Sequence, residues 1–205
     1  MINLWHWLFA KPQTRIDRPY GFRGTADVVS YNPSLSGPYT TNNALSIIQA
    51  VPDGWQIHNN LVTADGVSDK YSDYARITTN GFGLTIQPHN EVRGINGKWG
   101  YSQDVELSLG CYLLKVTGYN WVNNPPDPHN FVISGYVNNA LISQQRIPPQ
   151  SGFELIYPFK ADVPSIYTIK WMIEALWATA GHNSKIDILG AGVLKVDDGY
   201  CADIS

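Results

Sequence analysis

The sequence predicts an all-β fold, an antiparallel β-sandwich preceded by an extended, mostly irregular N-terminal arm. Three observations predict it. Strand-like apolar segments recur at short intervals from Trp55 onward, eighteen Gly and thirteen Pro are scattered between them without a period, and one long segment alternates in steps of two. No internal repeat of about 20–50 residues is present, which removes solenoids and propellers.

At 205 residues the chain has room for one well-cored domain and an appendage. We divide it into an arm, residues 1–50, and a sandwich domain, residues 51–205. In the arm, Pro19, Gly21, Gly24, Pro33, Gly37 and Pro38 interrupt every apolar run, and only Ala26–Tyr31 and Ala44–Val51 reach strand length. In the sandwich the expected strands are Trp55–His58, Tyr74–Thr79, Gly83–Gln87, Gly100–Val105, Cys111–Tyr119, Phe131–Val137, Leu141–Arg146, Phe153–Phe159, Ser165–Trp177, Lys185–Leu189 and Gly192–Val196. The alternation is clearest from Tyr167 to Trp177. Tyr167, Ile169, Trp171, Ile173 and Ala175 fall on one side, Lys170 and Glu174 on the other. A helix would also bring Lys170 and Glu174 together; the β-branched and aromatic content, the preceding Pro164 and the same alternation in Cys111–Val116 decide for strand. Trp55 and Trp171 are assigned to the core.

Charged residues make up only 15% of the chain and the net charge is −3. That balance argues against a nucleic-acid partner, because phosphate neutralisation needs a net basic face. The distribution is uneven: Lys11, Arg15, Arg18 and Arg23 against Asp17 give residues 1–23 a local +3, which leaves −6 on the remainder. A basic arm of this kind suits the acidic surface of a neighbouring subunit; an ordinary solvated terminus is the alternative. Ahead of those charges, Leu4, Trp5, Leu8 and Phe9 fit a short apolar anchor for a partner. The run Leu4–Ala10 is too short for a membrane span, which needs ~20 residues. It also lacks the leading positive charge of a signal peptide, so neither a membrane span nor export by that route is expected.

No enzyme signature is present: no GxSxG elbow, no phosphate-binding loop, no HExxH and no GxGxxG after a strand. Of the four glutamates, Glu106 and Glu154 lie on expected strands and are the one pair that could face a common groove; solvent-facing strand positions are the plainer reading, and the chain is taken as non-catalytic. Cys111 and Cys201 read as one core thiol and one terminal thiol, with a bridge closing the sandwich as the alternative. Asp197, Asp198 and Gly199, with Asp187, could supply oxygen ligands to a structural calcium; a tail turn held by Asx hydrogen bonds is the preferred explanation, and no cofactor is expected. Aromatic residues beside loops are the better functional lead. Trp99, Tyr101, Tyr119, Trp121 and Trp177 flank turns rich in Asn and Asp, where an exposed ring can stack on the C–H face of a sugar or anchor a protein interface.

Several phrases carry a family resemblance: Asp53-Gly54-Trp55, Ser102-Gln103-Asp104-Val105, Leu109-Gly110-Cys111-Tyr112-Leu113-Leu114, Phe131-Val132-Ile133-Ser134-Gly135, Phe153 to Phe159 followed by Tyr167-Thr168-Ile169, and Ser184-Lys185-Ile186-Asp187-Ile188. In this order, from about residue 53 to 198, they resemble the jelly-roll carbohydrate-binding modules and their galactose-binding-like relatives. The resemblance implies two antiparallel sheets, sugar or protein ligands and sometimes a structural calcium. The first fifty residues have no counterpart in those modules, and neither a catalytic domain nor a secretion signal is visible. A jelly roll with an arm and no export route is similar to accessory proteins of virus or phage particles. The main expectation is therefore a non-catalytic structural or assembly protein, a capsid decoration or other virion surface component that contacts protein neighbours in an oligomer. The alternative is a glycan-binding module, extracellular, that recognises a polysaccharide through exposed Trp and Tyr. The contacts of residues 1–50 discriminate: wrapping onto other chains favours assembly, folding back on the sandwich favours the binding module.

Overall fold

A computed structural model describes residues 28–35, 37–42, 49–59, 62–63, 75–79, 83–88, 95–121, 130–176 and 186–201. The strands are β1 (Tyr39–Asn42), β2 (Gln49–Pro52), β3 (Gln56–Asn59), β4 (Val62–Thr63), β5 (Ala75–Thr79), β6 (Leu84–Pro88), β7 (Ile95–Leu107), β8 (Gly110–Asn120), β9 (Asn130–Val137), β10 (Ala140–Ile147), β11 (Ser151–Ala161), β12 (Ser165–Leu176) and β13 (Ile186–Val196), followed by a 3-10 turn, Asp198–Cys201. They form two sheets. The first runs β1-β2-β5-β6-β13-β8-β11, and the second β10-β9-β12-β7-β3, with β4 also on β7. Pairing is antiparallel except for one parallel contact of β2 with β5 at Gln49 and Ile77. From β7 to β13 the chain changes sheet at every step but β9 to β10, which is the winding of a jelly roll.

Alternation explains why these segments are strands. On β12, Tyr167, Ile169, Trp171 and Ile173 are buried while Thr168, Lys170, Met172 and Glu174 are half-exposed. On β8, Tyr112, Leu114 and Val116 point inward, as do Phe153, Leu155 and Phe159 of the paired β11. Trp55 is buried too, as its assignment to the core requires. The β9–β10 hairpin is fixed by its turn: Asn138 and Asn139 both have positive φ (49° and 65°), the two-residue conformation that matches strand twist and that Asn tolerates. The two segments expected at Lys185–Leu189 and Gly192–Val196 are one strand, β13, whose register against β8 shifts between Ile188 and Gly190.

Where the N-terminal segment is described, residues 28–35, 37 and 38 are mostly irregular and packed on the sandwich. Val28 bridges Leu194, the Val29 amide donates to the Val193 carbonyl at 2.9 Å, and the Ala191 amide donates to the Pro33 carbonyl at 2.9 Å. Residues 28–33 thus take up the stretch of the β13 edge that β6, paired only at Ile186–Ile188, leaves open. Leu35 is wholly buried in the core. Gln103, buried on β7 of the other sheet, receives the Tyr31 amide on Oε1 (2.8 Å) and donates through Nε2 to the carbonyls of Tyr31 (2.9 Å) and Gly54 (3.0 Å). Gly54 has φ of 80°, and the Tyr31 ring lies where a Cβ would stand, so both conformation and space call for glycine. Residues 28–35 and 37–42 are therefore packed on the sandwich.

The cysteines also differ from the preferred expectation of two thiols. Cys111 and Cys201 form a disulfide that fastens the final turn to the start of β8, across 90 residues of sequence. Strand register is the reason: Val196, the last residue of β13, lies opposite Cys111 at the start of β8, and the turn Asp198–Cys201 that follows returns Cys201 to it.

Candidate ligand-binding surface

The five ring residues expected to meet a ligand separate into three groups. Trp99 and Tyr101 are corrected to core residues: they are 1% and 0% exposed and pack with Trp171, with ring centroids 5.3 to 6.4 Å apart. The cause is phase. Lys98, Asp104 and Glu106 occupy the outward positions of β7, which turns Trp99, Tyr101, Val105 and Leu107 inward. Burial also pushes the Tyr101 hydroxyl pKa far above its ordinary value. Trp177 lies outside the described residues, as do Leu4, Trp5, Leu8, Phe9, Lys11, Arg15, Arg18 and Arg23.

Tyr119 and Trp121 form the third group and stay outside. They share the outward phase of β8 with Leu113 and Lys115, and Trp121 is 46% exposed. Their rings sit 4.3 Å apart, tilted by 47°. The Trp121 indole N–H donates to Asp187 Oδ2 at 2.7 Å, and Gln150 Nε2 donates to the Trp121 carbonyl at 2.8 Å. Asp187 is opposite Tyr119 in register on β13 and only 5% exposed, although it points out of the sheet. An aromatic ring is thus presented to solvent at the end of the first sheet, held from β8, β13 and the turn before β11. Sequence reasoning met Asp187 as a candidate calcium ligand and within a family phrase, never beside Trp121, and passed over Gln150; the adjacency of Tyr119 and Asp187 depends on strand pairing that no local pattern encodes.

Among the described residues the remaining polar groups do not converge. Glu106 and Glu154 lie on the outer faces of different sheets, with the core between them, and Glu154 is paired with Lys115. Glu174 pairs with Lys98 at 3.2 Å on the outside of the second sheet. On the same face His58 Nε2 meets Ser102 Oγ at 2.7 Å, and burial together with the nearby Lys170 ammonium holds the His58 pKa below its ordinary value. Asp187 and the Asp197–Asp198 pair stand at opposite ends of β13, about 30 Å apart at strand rise, and no metal-ligating cluster occurs among the described residues. A groove of about 590 Å³ beside the disulfide, lined by Leu109, Lys160, Asp162 and Asp198, is at the far end from Trp121, and its Lys160 and Asp162 pair with each other at 3.0 Å. No helix among the described residues is long and apolar enough to cross a membrane.

The fold and this surface define a jelly-roll β-sandwich with a fixed, outward-facing indole. The sequence matches no protein-family model and no curated protein. Among solved structures, a CBM4 carbohydrate-binding module aligns over 81% of this chain and 99% of its own, at 11% identity and a TM-score of 0.46. The CBM22-1 xylan-binding domain of Paenibacillus barcinonensis aligns over 80% and 92%, at 11% identity and 0.40. A C-terminal family 22 carbohydrate-binding module of Clostridium thermocellum aligns over 86% and 99%, at 12% identity and 0.39.

Proposed function

We propose that this chain is a non-catalytic glycan-binding module whose stacking platform is Trp121. The observation that carries the reading is the ring itself. A large apolar side chain, 46% exposed yet restrained by a buried carboxylate and a neighbouring ring, is placed for a partner and not for the core. Two further observations support it. Among the described residues, 28–35 and 37–42 fold back on their own sandwich, an arrangement that supports a binding module. The acids Glu106 and Glu154 face away from each other, which speaks against glycoside hydrolysis by that pair. The disulfide supports an extracellular or otherwise oxidising setting.

The test is titration with cellotriose, β-1,4-galactotriose and soluble xylan, backed by a glycan array. Trp121→Ala is expected to weaken saccharide binding at least roughly tenfold, in line with a stacking contact at a hot spot, while leaving the fold intact. Equal binding by wild type and variant would remove the platform role. On the reading that places the chain on a virus or phage particle, deletion of residues 1–23 would abolish incorporation into the particle; on ours it leaves saccharide binding untouched.

A further inference from the structure

We infer that Asp187 is a positioning residue that presets the Trp121 ring, and that the surface so formed suits an uncharged pyranose met through its C–H face. The ligand half of this inference rests on the glycan-binding reading; the positioning half does not. An exposed indole at a strand end ordinarily samples several rotamers, and a ligand that stacks on it must freeze one of them. Here the freezing is already done. The indole bends over Asp187 and donates its N–H at 2.7 Å, a hydrogen bond to a carboxylate and so stronger than one between neutral groups. Tyr119 stands 4.3 Å away in the same outward phase, and Gln150 holds the carbonyl of residue 121 itself. Asp187, pointing out of the sheet, is nevertheless 5% exposed, and the indole N–H is one of the groups that meet its carboxylate.

The geometry also restricts the ligand. The single N–H of the indole is turned into the protein, so a ligand meets the ring's face and not its donor. A ring face attracts the C–H patch of a pyranose and offers nothing to a carboxylate or sulfate. Binding should therefore be insensitive to ionic strength, unlike recognition of a charged polymer.

The full chain labelled with 5-fluorotryptophan tests both halves, with the Trp121 fluorine resonance assigned through Trp121→Phe. Spectra of wild type, Asp187→Asn and Asp187→Ala are compared, and each protein is titrated with cellotriose, β-1,4-galactotriose and soluble xylan at low and high salt. We expect Asp187→Ala to shift and broaden the Trp121 resonance and weaken binding roughly tenfold, as a lost preorganisation would. Asp187→Asn keeps an acceptor oxygen and is expected to stay within about twofold of wild type, with affinity unchanged by salt. An unmoved resonance in Asp187→Ala overturns the positioning role, and if binding nonetheless weakens, Asp187 contacts the ligand directly. Affinity that falls with salt overturns the uncharged ligand class. A moved resonance with no saccharide bound by wild type upholds the positioning role and sinks the glycan reading.

Discussion

Trp99 and Tyr101 on β7, and Tyr119 and Trp121 at the end of β8, are two aromatic pairs with the same spacing of two residues and opposite positions in the fold. Spacing of two guarantees only that both rings share a side of the strand. Which side is decided by the residues in the alternate phase. On β7 that phase holds Lys98, Asp104 and Glu106, all at least partly open to water, so the rings go inward. On β8 the alternate phase holds Tyr112, Leu114 and Val116, which claim the interior and leave Tyr119 and Trp121 outside with Lys115. An aromatic pair beside a turn is thus no mark of a binding surface until the polar phase of its own strand has been read.

Substitution at the buried pair has the largest expected effect. Trp171→Ala, which removes the ring that Trp99 and Tyr101 pack against, is expected to destabilise the fold by about 3–5 kcal/mol in chemical denaturation. Trp121→Ala should lose under about 1 kcal/mol. Equal losses would mean that the two rings do the same job. Trp171→Phe sharpens the point: the Trp171 indole N–H meets no acceptor among the described residues, so this variant removes a stranded donor along with some volume and should lose less than the alanine.

Breaking the disulfide with Cys111→Ser and Cys201→Ser together should lower stability by about 2–5 kcal/mol, the range for a closed loop of this length, read from denaturation with and without reductant. Trp121 should keep its exposure and emission, since the bridge lies at the opposite end. Gln103→Leu takes away three hydrogen bonds that tie residues 31 and 54 to β7, and a loss of about 2–3 kcal/mol is expected. Amide exchange should speed up at Tyr31 and Val29 and hardly change on β12; uniform acceleration would show that residues 28–35 are no separate clasp. The smallest effect concerns pH. His58 has a depressed pKa in the folded state, so its contribution is present above the ordinary histidine value of 6.5 and is lost as pH falls through the folded value. His58→Gln should flatten that part of the stability profile, and Lys170→Met should flatten it less, because burial is the larger cause.

Much of the fold was legible because strands announce themselves locally. The period of two in Tyr167–Ile173 and the punctuation by Gly and Pro each depend on neighbours in sequence, so the last seven strands stand close to where they were expected, apart from the splitting of β13. The inward turn of Trp99 and Tyr101 was also written locally, in Lys98, Asp104 and Glu106, and was missed by weighing turns above phase. Tertiary structure alone decided the rest. That Asp187 stands beside Tyr119, that Cys111 meets Cys201 across 90 residues, and that residues 28–33 close an open edge of β13 while Gln103 of the other sheet holds Tyr31 are all consequences of strand order. Pairing partners far apart in sequence are chosen by the fit of whole faces and by satisfying buried backbone groups, and no short stretch of chain contains that information.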